Sequence, residues 1–267
     1  MTEILETNGA RIAYNVAGDG EAVVLIHAGV ANRSMWDDQV EALRDEYRVI
    51  RHDTRGFGET ETDAVAFSNR ADVIALLDEL GVDRAHLVGL SRGGTIAIDT
   101  ALEFPDRVRS LTVVAGGVSG YKSPVELPDE TFAAAEAMEE ARDWAALSEW
   151  ETAFWADGPG QSPDRVPEVR RRVHEWVLTT YQAEKQEGDP QPLDPPAVGR
   201  LDELHVPLLV MLGTLDDPGT TDAMRHLAAS VPGARLEEFA TAHMVNLEEP
   251  DRFNRVLRAF LDEVSGR

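Results

Sequence analysis

The sequence predicts an α/β protein: a mostly parallel, doubly wound sheet with helices on both faces and one helical insertion. Three observations predict it. Short apolar runs alternate with stretches of helical period, the rhythm of βα units. A Gly-x-Ser-x-Gly segment, Gly89-Leu90-Ser91-Arg92-Gly93, sits where one such strand should turn into a helix. The chain has 267 residues, 43% of them hydrophobic, which is enough for a single large core.

The elements follow in order. Ala22 to Ile26 is an unbroken apolar run and reads as a buried strand. Met35 to Asp45 has helical spacing, with Trp36, Val40 and Leu43 on one face. Tyr47 to Ile50 is the next strand. Ala66 to Leu80 reads as a helix, with Ser68 as N-cap and Gly81 as its stop. Leu87-Val88-Gly89 leads to the serine, and Thr95 to Glu103 continues the helix behind it. Leu111 to Val114 is another strand. From about residue 119 to 199 the rhythm breaks into proline-interrupted helical patterns, read as the insertion; residues 1–118 and 200–267 are then the core domain. Strand rhythm returns at Val206 to Leu212. A helix from Thr220 to Ala229, a strand from Arg235 to Phe239 and a helix from Pro250 to Val264 complete the chain.

A serine on a sharp strand-to-helix turn is pushed clear of the sheet with its hydroxyl exposed. Flanking glycines permit close backbone approach, and the helix N-terminus behind it offers unpaired N–H groups to an anion. The hydroxyl needs a base, and the base needs an orienting acid. Asp216 follows the strand ending near Leu212, and His243 follows the strand ending near Phe239. Both positions lie at C-terminal strand edges, where sites form in parallel sheets. Asp217 competes with Asp216, because Asp216-Asp217-Pro218-Gly219 is also good turn chemistry. Ser91, Asp216 and His243 are the expected catalytic residues. The backbone N–H groups of Gly29 and Arg92 are the expected oxyanion donors, provided the strand ending at Ile26 neighbours the serine strand. His27 precedes the serine at a strand end and reads as structural.

These motifs resemble the α/β-hydrolase fold superfamily over the whole length. His27-Ala28-Gly29 is similar to its His-Gly oxyanion loop, with Ala28 in place of the usual glycine. Asp53-Thr54-Arg55-Gly56-Phe57-Gly58-Glu59-Thr60 looks like its Asp-x-Arg-Gly-x-Gly-x-Ser/Thr loop, whose Asp and Arg brace turns. Phe104 to Val108 matches the usual exit from the serine helix. The resemblance makes 119–199 the variable cap, and the similarity is greatest to the small serine esterase and 3-oxoadipate enol-lactonase group. Trp36 falls where such loops often carry an aromatic. Arg92 departs from the usual apolar or amide residue after the serine. Its guanidinium either pairs with an acidic side chain or reads a carboxylate on the substrate. Arg92, Trp36 and Trp155 are the candidate substrate contacts. The other tryptophans of the insertion, Trp144, Trp150 and Trp176, read as its core.

The expected activity is hydrolysis of a small carboxylic ester or lactone through an acyl-enzyme. A ligand receptor on the same fold, a C–C hydrolase, an aminopeptidase and an acyltransferase are the alternatives. No cofactor is expected. Seven scattered histidines without His-Glu-x-x-His spacing argue against a metal site, and no dinucleotide fingerprint is present. A net charge of −24 repels phosphate backbones and argues against nucleic acid. Of 25 basic residues, only Lys122 and Lys185 are lysines. No apolar run is long enough to span a membrane. Cysteine is absent and the start lacks a basic-then-apolar leader, so a cytoplasmic protein is expected. Its expected partner is a small-molecule ester or lactone, and its state either monomer or homodimer, between which the sequence does not choose.

Overall fold

The computed structural model describes residues 1–125, 127–128 and 130–267. Glu126 and Asp129, which belong to the expected insertion, lie outside the described residues. The chain opens with β1 (Glu3–Thr7), β2 (Ala10–Ala17) and β3 (Glu21–Ile26), then α1 (Asp37–Leu43) and β4 (Tyr47–His52). The short strands β5 (Glu61–Thr62) and β6 (Ala66–Phe67) precede α2 (Asn69–Glu79), β7 (Ala85–Leu90), α3 (Arg92–Glu103) and β8 (Val108–Val114). The segment that follows holds α4 (Glu130–Glu140), α5 (Trp144–Glu151), a π-helical turn (Thr152–Asp157), α6 (Pro167–Ala183) and β9 (Asp189–Pro190). The end of the chain supplies β10 (Leu208–Gly213), α7 (Pro218–Ser230), β11 (Arg235–Phe239), α8 (Val245–Glu248) and α9 (Pro250–Ser265).

The main sheet runs β1-β2-β4-β3-β7-β8-β10-β11, with β5 paired to β2. From β4 to β11 every pairing is parallel, while β1 and β2 join antiparallel. Alternate strand residues face two separate cores, as the pleat requires. Val24, Ile26, Leu87, Val210 and Leu212 pack with Leu76, Ile98 and Met224, from α2, α3 and α7. Val23, Leu25, Val88, Leu90 and Met211 pack with Val40, Leu43, Phe253 and Leu257, from α1 and α9. Helices therefore cover both faces. Each fully buried aliphatic or aromatic side chain contributes about 1.5–3 kcal/mol. Among the described residues no helix is long and apolar enough to cross a membrane.

Differences from the sequence reading have local causes. The antiparallel β1 and β2 escaped it, because their exposed edge positions break the apolar run that marked the central strands. The helix expected from Ala66 begins at Asn69 instead. Ser68 does cap it, its side chain accepting from the Ala71 N–H, but Ala66 and Phe67 are drawn into pairing with Asp189 and Pro190. The expected helix from Met35 starts as a 3-10 turn, Arg33–Trp36, before α1.

Candidate active site

Strand β7 ends at Leu90, and Ser91 follows with φ 57° and ψ −121°, a left-handed conformation rare outside glycine. The turn is possible because its neighbours lack side chains. A Cβ on Gly89 would sit 2.1 Å from the Gly93 carbonyl oxygen, and one on Gly93 would sit 2.1 Å from that of Ile26. The Ser91 N–H donates to the Val114 carbonyl at 2.9 Å, anchoring the elbow to the next strand. Ser91 is the N-cap residue of α3, so the Arg92 N–H has no intrahelical acceptor.

The second component comes from β3. It pairs in parallel with β7, Ile26 opposite Gly89, so the loop His27-Ala28-Gly29 emerges beside the elbow. A Cβ on Gly29 would lie 3.9 Å from Arg92 Cβ, which sets the two backbones side by side. The His27 ring bonds the Ala28 carbonyl through Nδ1 at 2.7 Å, and its Nε2 accepts from the Thr54 N–H at 2.9 Å. Burial pushes its pKa down to about 3, so the ring is neutral. His27 thus ties two loops together. Asp53 and Arg55 are equally occupied. Asp53 accepts from the Arg33 and Glu59 N–H groups, each at 2.8 Å, and Arg55 forms a two-pronged pair with Asp72 at 2.8 Å.

The third component sits past β10 and β11. Backbone bonds from Thr214 to Phe239 and from Leu215 to Thr241 hold the two exits together. The result places Asp216 Oδ2 2.8 Å from His243 Nδ1, with both residues buried. Asp217, the competitor one position on, caps α7 instead: its Oδ2 accepts from the Thr220 N–H at 2.9 Å. With Nδ1–H donating to Asp216, His243 Nε2 carries the lone pair. Among the described residues Ser91 Oγ takes no hydrogen-bond partner. Ser91 and His243 border the same cavity of about 360 Å³. Arg92, Thr95, Gly116, Tyr121, Trp155, Asp217 and Thr220 also line it. The arrangement provides a hydroxyl, a ring nitrogen able to accept a proton, and the Arg92 N–H at the N-terminus of α3 beside the Gly29 loop.

The candidate substrate contacts divide three ways. Trp155 lines the cavity, its ring centroid 4.5 Å from that of His243. It is carried by the π-helical turn, a local widening often found at functional sites. Trp36 is corrected: it is fully buried and packs on Phe253 of α9, 6.2 Å between ring centroids. The apolar face it shares with Val40 and Leu43 draws it into the core, away from the cavity. Arg92 borders the cavity, but its Nη2 donates to Glu187 Oε1 at 2.6 Å and its Nη1 to the Thr54 hydroxyl. The guanidinium also lies 4.8 Å over the Phe57 ring. Its burial lowers its pKa, against the pull of Glu187, yet leaves it a cation. Of the other tryptophans, Trp144 stacks on Tyr181 and Trp150 on Phe154, as the sequence suggests, whereas Trp176 packs against the cluster that includes α1 and α9.

One supporting pair escaped the sequence reading. Glu248 Oε1 accepts from the Ala242 N–H at 2.9 Å, directly before His243. The same carboxylate is gripped by Arg165, which also donates to the Asp157 carbonyl at 2.8 Å. The histidine loop is thereby fastened to the π-helical turn carrying Trp155. An Arg and a Glu 83 positions apart carry no local signal of pairing.

Comparison with known proteins bears on the family and the fold. The sequence pattern of the alpha/beta hydrolase family matches residues 23–256. A 2-hydroxy-6-oxononadienedioate/2-hydroxy-6-oxononatrienedioate hydrolase from Burkholderia vietnamiensis is 31% identical, over 94% of this chain and 91% of its own. 3-Oxoadipate enol-lactonase 2 from Acinetobacter baylyi is 26% identical, over 94% of this chain and 93% of its own. The crystal structure of the enol-lactonase from Burkholderia xenovorans superposes with a TM-score of 0.78 at 25% identity, covering 97% of this chain and 99% of that one. The family pattern spans most of the sequence, and the chain belongs to the alpha/beta hydrolase family.

Proposed function

We propose that this hydrolase acts on small carboxylic esters or lactones through a covalent acyl-enzyme. The observation that carries the reading is the buried 2.8 Å contact of Asp216 with His243, beside Ser91 on its positive-φ elbow. Ser91 Oγ attacks the carbonyl carbon as His243 Nε2 takes its proton. The carbonyl π electrons move onto oxygen, and the oxyanion accepts from the Gly29 and Arg92 N–H groups. A single such donor contributes about 3 kcal/mol to the barrier reduction. Collapse breaks the carbon–oxygen bond of the ester, and the imidazolium returns its proton to the departing alkoxide. Water, deprotonated by His243, then attacks the acyl carbon and releases the acid and Ser91. Asp216 holds the imidazole in one tautomer and stabilises its charged form. Catalytic hydrogen bonds are often loose before substrate binds, so the unpaired Ser91 hydroxyl fits this sequence of steps.

Residues 119–199 act as a cap in this reading. Trp155 beside His243 and the Arg165–Glu248 pair support that role, since both bring the insertion onto the site. Residues 1–118 and 200–267 form the core. The test is turnover of p-nitrophenyl acetate together with a panel of lactones, using Ser91→Ala as control. Turnover that survives Ser91→Ala overturns the proposal. A second reading, hydrolysis of a carbon–carbon bond, is favoured by the 31% identity to the Burkholderia vietnamiensis hydrolase. Faster cleavage of a vinylogous 1,5-diketone than of any ester or lactone selects it.

A further inference from the structure

The cavity beside Ser91 is poor in positive charge. Among the described residues lining it, Arg92 is the one arginine or lysine and Asp217 the one carboxylate. Arg92 stands directly after the serine, where a planar guanidinium fork would suit a carboxylate on a substrate. One N–H of each terminal nitrogen is taken, Nη2 by Glu187 at 2.6 Å and Nη1 by the Thr54 hydroxyl. The Phe57 ring lies 4.8 Å beneath the same guanidinium.

Glu187 is held in place by its surroundings. Lys185 donates from Nζ to the Gly58 carbonyl at 2.6 Å and the Thr60 carbonyl at 3.0 Å. Two residues beyond Glu187, β9 pairs with β6, the Asp189 N–H donating to Val65 at 2.9 Å. The Gln191 N–H donates to Phe67 at 2.7 Å. The strap is thus sewn at both ends to the 53–67 loop, the loop that also supplies Thr54 and Phe57.

We propose that Glu187 is a specificity residue: a built-in carboxylate that neutralises the Arg92 charge and turns the site toward uncharged esters or lactones and against those bearing a carboxylate. The inference rests on the hydrolase reading above and names its substrate class. Two charge arguments converge on it. A substrate carboxylate arriving at Arg92 must meet a like charge already seated there. It must also approach a protein of net charge −24, whose field opposes any anion. Glu187 is 43% exposed, so the pair is partly screened and a moderate effect is expected.

The experiment compares wild type with Glu187→Gln and Glu187→Ala on a matched pair, p-nitrophenyl butyrate and mono-p-nitrophenyl succinate. Wild type should prefer the neutral ester. Both variants should shift the ratio of kcat/KM toward the charged ester by at least tenfold, equivalent to about 1.4 kcal/mol. The shift should vanish when Arg92→Met is added, because the freed cation is then gone. The ratio cancels any general loss of activity. A wild-type preference for the charged ester, or an unchanged ratio in both variants, overturns the proposal. Binding separates this failure from failure of the hydrolase reading. Monomethyl glutarate, titrated calorimetrically, should bind Glu187→Gln at least tenfold more tightly than wild type, whether or not either turns over an ester. Equal affinity rejects the role of Glu187 on its own.

Discussion

Replacing Asp216 by Asn removes one charge and keeps the shape of the side chain. In the folded protein Asp216 Oδ2 lies 2.8 Å from His243 Nδ1, with the aspartate 5% and the histidine 2% exposed. A unit charge pair at that separation, in an effective dielectric of about 20, attracts by about 6 kcal/mol. The imidazole is charged only as the serine proton moves to it, so this attraction acts chiefly in the transition state. An asparagine dipole recovers part of it. It also permits the wrong tautomer, since its amide N–H can donate to Nδ1 and leave the proton on Nε2. A net loss of about 3–5 kcal/mol is expected, which is roughly two to four orders of magnitude in kcat. Asp217→Asn is the internal control. Asn caps a helix as well as Asp does, so α7 keeps its cap and activity should stay within a few-fold. The assay is kcat and KM on the best ester of the panel, with circular dichroism to verify folding. Asp216→Asn within tenfold of wild type, or Asp217→Asn the more damaging, would refute the reasoning.

Ser91→Ala and His243→Ala should each lower kcat by several orders of magnitude, and the double variant should be little worse than either, because nucleophile and base act as a unit; steady-state kinetics on the same ester checks this. Stability should fall in mild acid. Burial pushes both His27 and His52 down to about 3, while the unfolded chain titrates near 6.5, so below that pH the unfolded state binds more protons. Stability is therefore complete above about pH 6.5 and lost as pH drops toward 3, by roughly 2 kcal/mol per histidine on reaching pH 5. Urea melts at pH 7 and pH 5 measure it, and a flat profile contradicts the neutral, buried rings. Glu248→Ala leaves Arg165 with carbonyl partners but no carboxylate, and the Ala242 N–H without its acceptor. A loss of about 1–3 kcal/mol in urea unfolding is expected, less than for a fully buried ion pair because Arg165 is 21% exposed, and no loss would show that the clamp does not hold the histidine loop.

The central strands and the elbow were legible because their signals are local. Ala22 to Ile26 is continuous apolar sequence, and a strand buried on both faces must read that way. Gly89 and Gly93 announce the turn because any side chain there would collide with the carbonyls of Gly93 and Ile26. The order of Asp216 against Asp217 was legible for a related reason. The acid has to leave the strand edge first, and the next residue is then placed to cap α7. Strands β1 and β2 were not legible, since β1 is mostly exposed and β2 ends in three half-buried positions, so neither carries an unbroken apolar run. Trp36 shows a conflict between two signals. Its position suggested the cavity, whereas its helical spacing with Val40 and Leu43 pointed into the core, and burial in the core prevailed.

What stayed hidden is a class of contact rather than a class of residue. Arg92 meets Glu187 across 95 positions, and Arg165 meets Glu248 across 83. With 49 acidic side chains available, composition makes some partner for each arginine near certain and none in particular recognisable. Only the path of the insertion decides the pairing. Lys185 and the β6–β9 contact seat Glu187 over the 53–67 loop, and the π-helical turn brings Arg165 to the histidine loop. The chemistry proposed for Ser91, Asp216 and His243 thus rests on short motifs at strand ends, and the proposed selection of what reaches them on long-range charge pairing. Substitutions in the strap should accordingly change which ester is preferred before they change how fast the best one is cleaved, and substitutions at the strand ends should do the reverse.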